Sequence, residues 1–194
     1  MSSICRYPSY RLRNNAKDKE GRFMLHMLYP DEYKESTYKI DFKKLYKDGY
    51  RGILFDIDNT LVPHGAPADD RAIRLFEELR AIGFQTCLIS NNKEPRVKSF
   101  CDKVGSTYVF KAGKPLPGGY EEGMRRMKTT KKNTLFIGDQ IFTDVLGAKR
   151  AGLYTIMVKP IHPKEEIQIV LKRYLEKVVL FFYFRSVRKK SVEK

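Results

Sequence analysis

Residues 53–60 read ILFDIDNT, an apolar run of strand-forming residues that leads into two aspartates. The apolar part is short enough to be a buried strand. Asp56 and Asp58 stand two positions apart, so on an extended chain their carboxylates project to the same side, roughly 6–7 Å apart. Parallel sheets bind ligands at the carboxyl ends of their strands. The pair therefore predicts a site for one small ion, and a solvated aspartate-rich turn is the alternative that this stretch alone leaves open.

The pattern of short apolar runs continues along the chain. Runs rich in strand-forming residues occur at residues 53–56, 84–90, 107–110, 134–137 and 154–158. Between them, apolar residues recur at helical spacings of three and four: Ala72, Leu75, Phe76 and Leu79; Val97, Phe100, Cys101 and Val104; Ile141, Val145 and Ala148. Gly83, Gly105 and Gly152 follow these segments, where a helix end favours the left-handed conformation. Alternating strands and helices predict an α/β fold, a Rossmann-like doubly wound parallel sheet.

The chain divides into three predicted parts. Residues 1–27 form a basic extension without the apolar core of a secretory signal, and we interpret it as a frayed, disordered terminus rather than an organellar targeting segment. Residues 28–163 form the α/β domain, whose N-terminal helix runs through Phe42 and Leu45. Residues 164–194 form an amphipathic basic helix. Its apolar face is predicted to comprise Ile167, Val170, Leu171, Tyr174, Leu175, Val178 and Val179.

Composition favours an ordinary folded domain. The 194 residues carry 38 lysines and arginines against 23 aspartates and glutamates, a formal net charge of +15. The apolar fraction of 42% is enough for a core and excludes wholesale disorder. Three cysteines and three dispersed histidines predict neither a disulfide framework nor a local zinc cluster. No apolar run reaches the roughly 20 residues of a spanning helix, so we expect a cytoplasmic protein.

Three further polar elements follow predicted strands. Residues 90–92, Ser-Asn-Asn, offer a hydroxyl and amides to an oxyanion, although Asn-Asn usually marks a turn. Lys114 follows the next strand and, as one lysine among many, carries no weight alone. Asp139 follows another strand, and Asp144 falls in the first turn of the next helix, where it would cap amides or brace a metal ligand. Because parallel strands end at one edge, we expect these elements to converge.

In order and type, these elements resemble the four motifs of the haloacid dehalogenase (HAD) superfamily of phosphatases, over about residues 50–158. The first and fourth motifs are highly specific, and the other two are weakly so. The resemblance implies that Asp56 is the nucleophile that forms an aspartyl phosphate. It also implies that Asp58 protonates the leaving alkoxide and then activates water. The enzyme would thus be a phosphoric monoester hydrolase.

The resemblance also implies a magnesium site. Mg²⁺ would be held by Asp56, Asp139 and the backbone carbonyl of Asp58. A cation is needed because three carboxylates facing a phosphate dianion would otherwise repel it. Three residues are expected in supporting positions: Asn59, which organises the loop, Thr60 and Asp144.

Phosphate binding is implied for a second group of residues. The Ser90 hydroxyl and the amide of Asn91 would bind phosphoryl oxygens, while Lys114 would neutralise charge developing on them. Only 29 residues separate Thr60 from Ser90, and 23 separate Ser90 from Lys114, which leaves no room for a cap domain. A site without a cap resembles those that act on phosphates displayed by macromolecules or lipid surfaces. A neighbouring subunit serving as the lid, in a homodimer, is the alternative.

A closer resemblance involves four stretches: YPDEY at 29–33, FDIDNTL at 55–61, SNN at 90–92 and KAGKP at 111–115. Together they look like the bacterial YqeG family, whose eukaryotic relatives are mitochondrial phosphatidylglycerophosphate phosphatases. The resemblance implies a phosphorylated lipid substrate, with hydrolysis of phosphatidylglycerophosphate to phosphatidylglycerol in phospholipid biosynthesis.

The C-terminal helix offers a candidate membrane contact. Apolar residues 178–184 precede four cations, Arg185, Arg188, Lys189 and Lys190. Such a segment resembles an interfacial anchor, which would place the protein peripherally on an anionic, cytoplasmic membrane face. The same residues would equally suit packing on the sheet or on a dimer partner.

Two other functions remain open. One is a phosphatase for a soluble or polynucleotide phosphomonoester, steered by a basic cluster formed by Arg125, Arg126, Lys128, Lys131 and Lys132. The other is a non-catalytic basic module that binds lipid or nucleic acid on a decayed scaffold. The presence of Asp56, Asp58, Lys114 and Asp139 together argues against decay, and we expect no specific nucleic acid partner.

Overall fold

The structure, a computed structural model, describes residues 27–162 and 167–192, with side chains described for residues 27–162 and 174–188. The strands are β1 Glu32–Lys34, β2 Gly52–Phe55, β3 Gln85–Ile89, β4 Thr107–Val109, β5 Thr134–Gly138 and β6 Tyr154–Val158. The helices are α1 Phe42–Lys47, α2 Asp70–Ile82, α3 Glu94–Val104, α4 Gly118–Met127, α5 Leu146–Arg150 and α6 Ile167–Val192. A 3₁₀ turn spans Thr37–Lys39, and a π-helical turn, Ile141–Val145, precedes α5.

All six strands are parallel and lie in the order β1-β6-β5-β2-β3-β4. The predicted fold class, a doubly wound parallel sheet, is therefore confirmed. Phe55, the last residue of β2, lies opposite Ile137 of β5 and Leu88 of β3. The loops after these three central strands consequently leave the sheet at one edge, which we call the carboxyl edge.

The central strand β2 is covered on both faces. Ile53 and Phe55 belong to the apolar cluster beneath α1, α2 and α3, whereas Leu54 faces a second cluster beneath α4 and α5. All three side chains are fully buried. A strand buried on both faces needs an uninterrupted apolar run, which is why residues 53–55 were recognisable in the sequence.

Two predicted helices are confirmed as α2 and α3, and the third begins as the π-helical turn before α5. The glycines that follow them have positive φ angles: +107° at Gly83, +65° at Gly105 and +76° at Gly152. Each of these positions is in the left-handed region that favours glycine. The helix ends were therefore local features of the sequence.

Strand β1 was not predicted, because its sequence, EYK, contains no apolar run. Among the strands that the structure describes, it is the outermost one next to β6 and pairs with β6 alone. The carboxylate of Asp31 accepts hydrogen bonds from the backbone N and the hydroxyl of Thr155, at 2.7 and 2.9 Å. Side-chain contacts with a distant strand thus hold a segment whose own sequence has little strand character.

Helix α4 was also not predicted, because three of its ten residues are glycines. A Cβ atom at Gly119 would lie 2.4 Å from the carbonyl oxygen of Ala112, and one at Gly123 would lie 2.6 Å from Leu54 Cδ2. The missing side chains let the helix lie close to Ala112 in the loop after β4 and to Leu54 of β2. Close packing therefore outweighs the low helix propensity of glycine.

The C-terminal helix is observed as α6, and most of its predicted apolar face is turned to solvent where the side chains are described. Tyr174, Leu175 and Val178 are 63%, 57% and 55% exposed. The side that meets the domain carries Val179, Leu180 and the buried Tyr183. Because α6 is apolar on both sides, the spacing of apolar residues could not identify the buried side.

Two sets of predictions lie outside the described residues: the N-terminal extension up to residue 26, and the side chains of Ile167, Val170, Leu171, Lys189 and Lys190. Within the part of the chain that the structure does describe, no helix is long and apolar enough to cross a bilayer.

Candidate active site

The carboxyl edge of the sheet gathers the polar residues that the sequence singled out. Asp56 directly follows β2, Ser90 follows β3 and Asp139 follows β5. The backbone N of Asp56 donates to the carbonyl of Ile137 at 2.9 Å, which continues the ladder beyond the strand end. Lys114 reaches the same place from the loop after β4, and its side chain is buried.

Three buried carboxylates form an acidic cluster at this edge. One oxygen from each of Asp56, Asp139 and Asp144 lies within 4.8 Å of the other two. The Thr60 hydroxyl donates to Asp139 Oδ1 at 3.2 Å. Removing carboxylates from water costs several kcal/mol per ion even after relaxation. The cluster therefore requires compensating positive charge.

Lys114 supplies one positive charge. Its Nζ donates to Asp56 Oδ1 at 2.5 Å and to Asp144 Oδ1 at 2.7 Å. Burial lowers the pKa of Lys114, but the carboxylates of Asp144 and Asp56 raise it by more, so that the net shift is upward. The ammonium group is therefore charged at neutral pH, and it cancels one of the three carboxylate charges.

The environment of Asp56 disfavours its charged form. Burial raises the pKa of Asp56 to about 7; Lys114 opposes this shift and the carboxylate of Asp144 adds to it. A carboxyl group with such a pKa is partly protonated near neutral pH. A cation placed beside Asp56 would favour the carboxylate, because metal ligands must give up their protons.

The donor set fits a divalent cation. Three carboxylates and one ammonium group leave a charge of about −2 when all are ionised, and carboxylate oxygens are the ligands that Mg²⁺ prefers. Asp144 contributes mainly as a brace: its Oδ2 accepts from the backbone amides of Asp139 and Gln140, at 3.1 and 3.0 Å. Asp56 and Asp139 are thus the carboxylates best placed to hold such an ion.

Asp58 lies apart from the acidic cluster. Its carboxylate accepts hydrogen bonds from Asn92 Nδ2 at 2.7 Å, Arg96 Nη2 at 3.0 Å and the backbone N of Gly65 at 2.8 Å. Sequence reasoning placed Asn92 in the Ser-Asn-Asn element without giving it a role of its own, and it did not select Arg96. Their positions in the sequence could have indicated a role in the site. Asn92 belongs to the predicted Ser-Asn-Asn element, and Arg96 lies in the first turn of the helix that follows it.

Asn91 positions the lysine loop through its side chain. Asn91 Oδ1 accepts from the backbone N of Lys114 at 2.8 Å, and its Nδ2 donates to the Lys114 carbonyl at 3.1 Å. The hydroxyl of the neighbouring Ser90 accepts from the backbone N of Asn92 at 3.1 Å. These bonds fix the loops after β3 and β4 relative to each other.

Asn59 organises the loop after β2. Its φ angle is +65°, in the left-handed region that asparagine tolerates better than most residues. Its backbone carbonyl accepts from the backbone N of Ile161 at 3.1 Å, and its Oδ1 accepts from the backbone N of His162 at 3.3 Å. The segment after β6 is thereby held against the site.

Access to the site is not restricted by an inserted domain. Between residues 27 and 162, the chain forms only the sheet, its flanking helices and short loops, so the predicted absence of a cap domain is confirmed.

The basic cluster predicted to steer a polynucleotide lies elsewhere. Arg125 and Arg126 end α4 and pair with Glu122, each at 2.7 Å. The chain then leads into the start of β5 at Thr134. This point lies at the amino ends of the strands, whereas Asp56 lies at the carboxyl edge.

Two similarities identify the family. Residues 64–152 match the model of the haloacid dehalogenase-like hydrolases, a span that begins just after the first aspartate pair. Over 152 residues, the chain is 37% identical to the probable phosphatase YqeG of Bacillus subtilis, covering 78% of this chain and 88% of that protein. The chain belongs to the YqeG family of haloacid dehalogenase-like hydrolases. The predicted enzyme class, a phosphoric monoester hydrolase, is confirmed by this membership.

The chain is also similar, at lower identity, to other phosphatases. It is 26% identical over 160 residues to phosphatidylglycerophosphate phosphatase 1, chloroplastic/mitochondrial, of Arabidopsis thaliana, covering 77% of this chain but only 45% of that protein. Among solved structures, the cobalt-bound deoxy-D-mannose-octulosonate 8-phosphate phosphatase (YrbI) of Haemophilus influenzae aligns with a TM-score of 0.48 and 13% identity. That alignment covers 71% of this chain and 91% of the other.

Proposed function

We propose that this YqeG-family phosphatase is Mg²⁺-dependent and hydrolyses phosphomonoesters through an aspartyl phosphate formed on Asp56. The observation that carries the proposal is the buried bridge of Lys114 between Asp56 and Asp144, with Asp139 alongside. The bridge aims Asp56 and leaves a carboxylate-rich position at the open edge of the sheet. A nucleophile held by neighbouring charges in this way is suited to covalent catalysis.

The proposed reaction transfers the phosphoryl group twice, first to Asp56 and then to water. A carboxylate oxygen of Asp56 attacks phosphorus, the bond from phosphorus to the ester oxygen breaks, and the leaving alkoxide takes a proton from Asp58. Asp58 then accepts a proton from water, whose oxygen attacks the aspartyl phosphate and releases inorganic phosphate and the Asp56 carboxylate. Arg96 and Asn92 hold the Asp58 carboxylate in the loop after β2. Its position two residues after Asp56 supports its assignment as the acid and base.

The remaining side chains bind the phosphoryl group and neutralise its charge. Lys114 would face the phosphoryl oxygens next to Asp56, while the Ser90 hydroxyl and the backbone amide of Asn91 would donate to them. Asp56, Asp139 and the backbone carbonyl of Asp58 would hold Mg²⁺, which supplies positive charge against the developing charge on phosphate. Thr60 and Asp144 keep Asp139 in position.

We infer that the substrate is phosphatidylglycerophosphate, which yields phosphatidylglycerol. The Arabidopsis relative carries that activity in its name. An open site without a cap domain also suits a phosphate presented at a lipid surface, where the surrounding headgroups limit access to one side. The position of the basic cluster at the opposite edge of the sheet gives no support to a polynucleotide substrate.

The test is a substrate panel assayed with Mg²⁺ and with excess EDTA. It comprises phosphatidylglycerophosphate and phosphatidic acid in mixed micelles, a sugar phosphate and a nucleoside monophosphate. Phosphatidic acid is the matched control because it presents a lipid phosphomonoester without the glycerol headgroup. We expect phosphatidylglycerophosphate to have the highest kcat/KM, and EDTA to abolish its turnover. Turnover confined to soluble phosphates would overturn the lipid substrate, and full turnover in EDTA would overturn the metal dependence.

A further inference from the structure

The side of α6 turned away from the domain carries an apolar strip, which we call the outer strip. Its members are 49–63% exposed: Tyr174, Leu175, Val178, Phe181 and Phe182. They recur at helical spacings of three and four, so they lie along one side of the helix. A contiguous exposed apolar surface of this kind marks an interaction site more often than a scattered apolar residue does.

Within residues 27–162, the domain does not cover the outer strip. The domain contacts of α6 come from the opposite side, through Val179, Leu180 and the buried Tyr183. On that side, the Glu176 carboxylate is 3% exposed and accepts a hydrogen bond from the backbone N of Ile141 at 2.7 Å. The helix is thus already anchored, and its exposed aromatic side chains contribute little to folding.

The direction of α6 places one end of the strip near the site. Glu176 contacts Ile141, two residues after Asp139 at the carboxyl edge. Further along the helix, the ring of Tyr183 lies 5.6 Å from that of Tyr29. Tyr29 precedes β1, so it lies near the amino ends of the strands. The helix therefore runs antiparallel to the strands, and the strip begins level with the loop that carries Asp139.

Cations continue the strip along the same side of the helix. Arg185, which is exposed, follows Phe181 by four positions, and the exposed Arg188 comes three positions later. The sequence of α6 contains seven lysines and arginines but only one acid, the inward-facing Glu176. Two copies of this helix face to face would bring like charges together without an acidic partner. Charge complementarity therefore favours an anionic surface over a second copy of the chain.

We propose that the outer strip of α6 docks the protein on an anionic lipid surface. Phe181 and Phe182 enter the boundary between headgroups and acyl chains, and Arg185 and Arg188 bind headgroup phosphates. This docking is independent of turnover, although it would bring the open site close to a lipid substrate. It differs from the sequence-based expectation for residues 178–184, because Val179 and Tyr183 belong to the buried side.

A tryptophan probe tests the contact directly, because the chain contains no tryptophan. Phe181→Trp in the full-length protein is titrated with phosphatidylglycerol-containing vesicles and with pure phosphatidylcholine vesicles at low salt. We expect a blue shift of emission and quenching by brominated lipid only with the anionic vesicles. Ser99→Trp is the matched control and should not respond. Ser99 lies on the exposed side of α3, near β4 at the far side of the sheet from β1. Indifference of Phe181→Trp to anionic vesicles would overturn the proposal.

A binding measurement separates the proposal from its alternatives. In the double variant Phe181→Glu and Phe182→Glu, we expect the apparent affinity for anionic vesicles to fall at least about tenfold, since two aromatic side chains lose their apolar environment. Circular dichroism checks that the double variant folds, and Asp56→Asn should bind vesicles like the wild type whatever the outcome of the catalytic tests. Unchanged sedimentation of the double variant would contradict the docking. So would a wild-type dimer that the double variant dissociates, or a Phe181→Trp emission already blue-shifted without lipid.

Discussion

At the carboxyl edge of the sheet, Asp56, Asp144 and Lys114 are charged groups in the interior, whereas along the outer side of α6 the rings of Tyr174 and Phe181 are apolar groups in solvent. Both regions depart from the usual distribution of residues, in opposite directions. At the edge, each named charge meets an opposite charge within 2.7 Å. The side chains of the outer strip, by contrast, are not covered by the described part of the domain.

The two regions obtain their energetic compensation from different places. Buried charges must be compensated inside the molecule, because water cannot reach them, so the site is preorganised by the fold. Exposed aromatic side chains cost little in the free protein and become favourable only when something outside covers them. The first region therefore depends on its internal partners, and the second on its surroundings.

Catalytic activity should change more than any other property. Asp56→Asn keeps the size of the side chain but removes the nucleophile, and we expect kcat to fall by about 10⁴-fold or more, as for nucleophiles in other enzymes. Steady-state turnover of the best substrate in the panel measures this loss. The control is Asp102→Asn, an exposed aspartate on α3 that pairs with Lys98 and should retain wild-type turnover. A kcat within tenfold of wild type for Asp56→Asn would remove this residue from the mechanism.

The next effect contrasts two ion pairs of similar length. Lys114→Met leaves Asp56 and Asp144 buried without their cation, and we expect the free energy of unfolding to fall by about 3–5 kcal/mol. Lys98 lies 2.6 Å from Asp102 but is exposed, so Lys98→Met should change stability far less, because water screens that pair. Urea unfolding of both variants in EDTA gives the two values. Equal losses would show that burial does not distinguish the pairs.

The two sides of α6 offer a third contrast. Tyr183 is 8% exposed and faces the domain, whereas Phe181 is 60% exposed. We expect Tyr183→Ser to lower the free energy of unfolding by about 2 kcal/mol and Phe181→Ser to change it by less than about 0.5 kcal/mol. Thermal and urea unfolding without lipid provide the measurement. If Phe181→Ser were the more damaging change, the outer strip would be part of the fold after all.

Glu176 joins the two regions. Glu176→Ala leaves the backbone N of Ile141 without this acceptor, and we expect a loss of about 1–3 kcal/mol in the free energy of unfolding. Glu176→Gln keeps an acceptor oxygen and should recover most of that loss. Because Ile141 is two residues after Asp139, Glu176→Ala should also weaken the apparent affinity for Mg²⁺ more than Glu176→Gln does. Identical behaviour of the two variants would mean that the hydrogen bond is unimportant.

The last prediction concerns the pH dependence of stability, which is spread over several pH units. The pKa of Asp56 rises from 3.8 to about 7 on folding, so between these values the folded protein holds a proton that the unfolded chain has lost. Stability of the metal-free protein relative to Asp56→Asn should therefore fall as pH rises towards 7, by at most about 1.4 kcal/mol per pH unit, and level off above that. Urea unfolding of both proteins in EDTA at several pH values measures the difference. Parallel profiles from pH 5 to 8 would contradict the shift.

Much of the fold and of the candidate site could be predicted from short stretches. The apolar run before Asp56, the glycines after α2 and α3, and the polar residues after β2, β3 and β5 are local features. Since parallel strands all end at one edge, strand assignment alone implied that Asp56, Ser90, Lys114 and Asp139 would meet. The family resemblance rested on the same residues.

The features that escaped prediction depend on contacts between distant parts of the chain. Asp31 and Thr155 hold the segment that leads into β1, and Gly119 and Gly123 let α4 lie close to Ala112 and Leu54. Arg96 reaches Asp58 across 38 positions, which no local pattern records.

Short-range patterns in the sequence were enough to show which residues end the strands, and therefore which side chains share the carboxyl edge, because strand and helix periodicities are properties of neighbouring residues. The folded structure was needed to show which two carboxylate oxygens Lys114 bonds, where the Asp58 carboxylate turns and which side of α6 remains exposed. Those outcomes depend on burial, and burial is a property of the assembled chain: a helix apolar on both sides does not specify its inner face until a domain is packed against it.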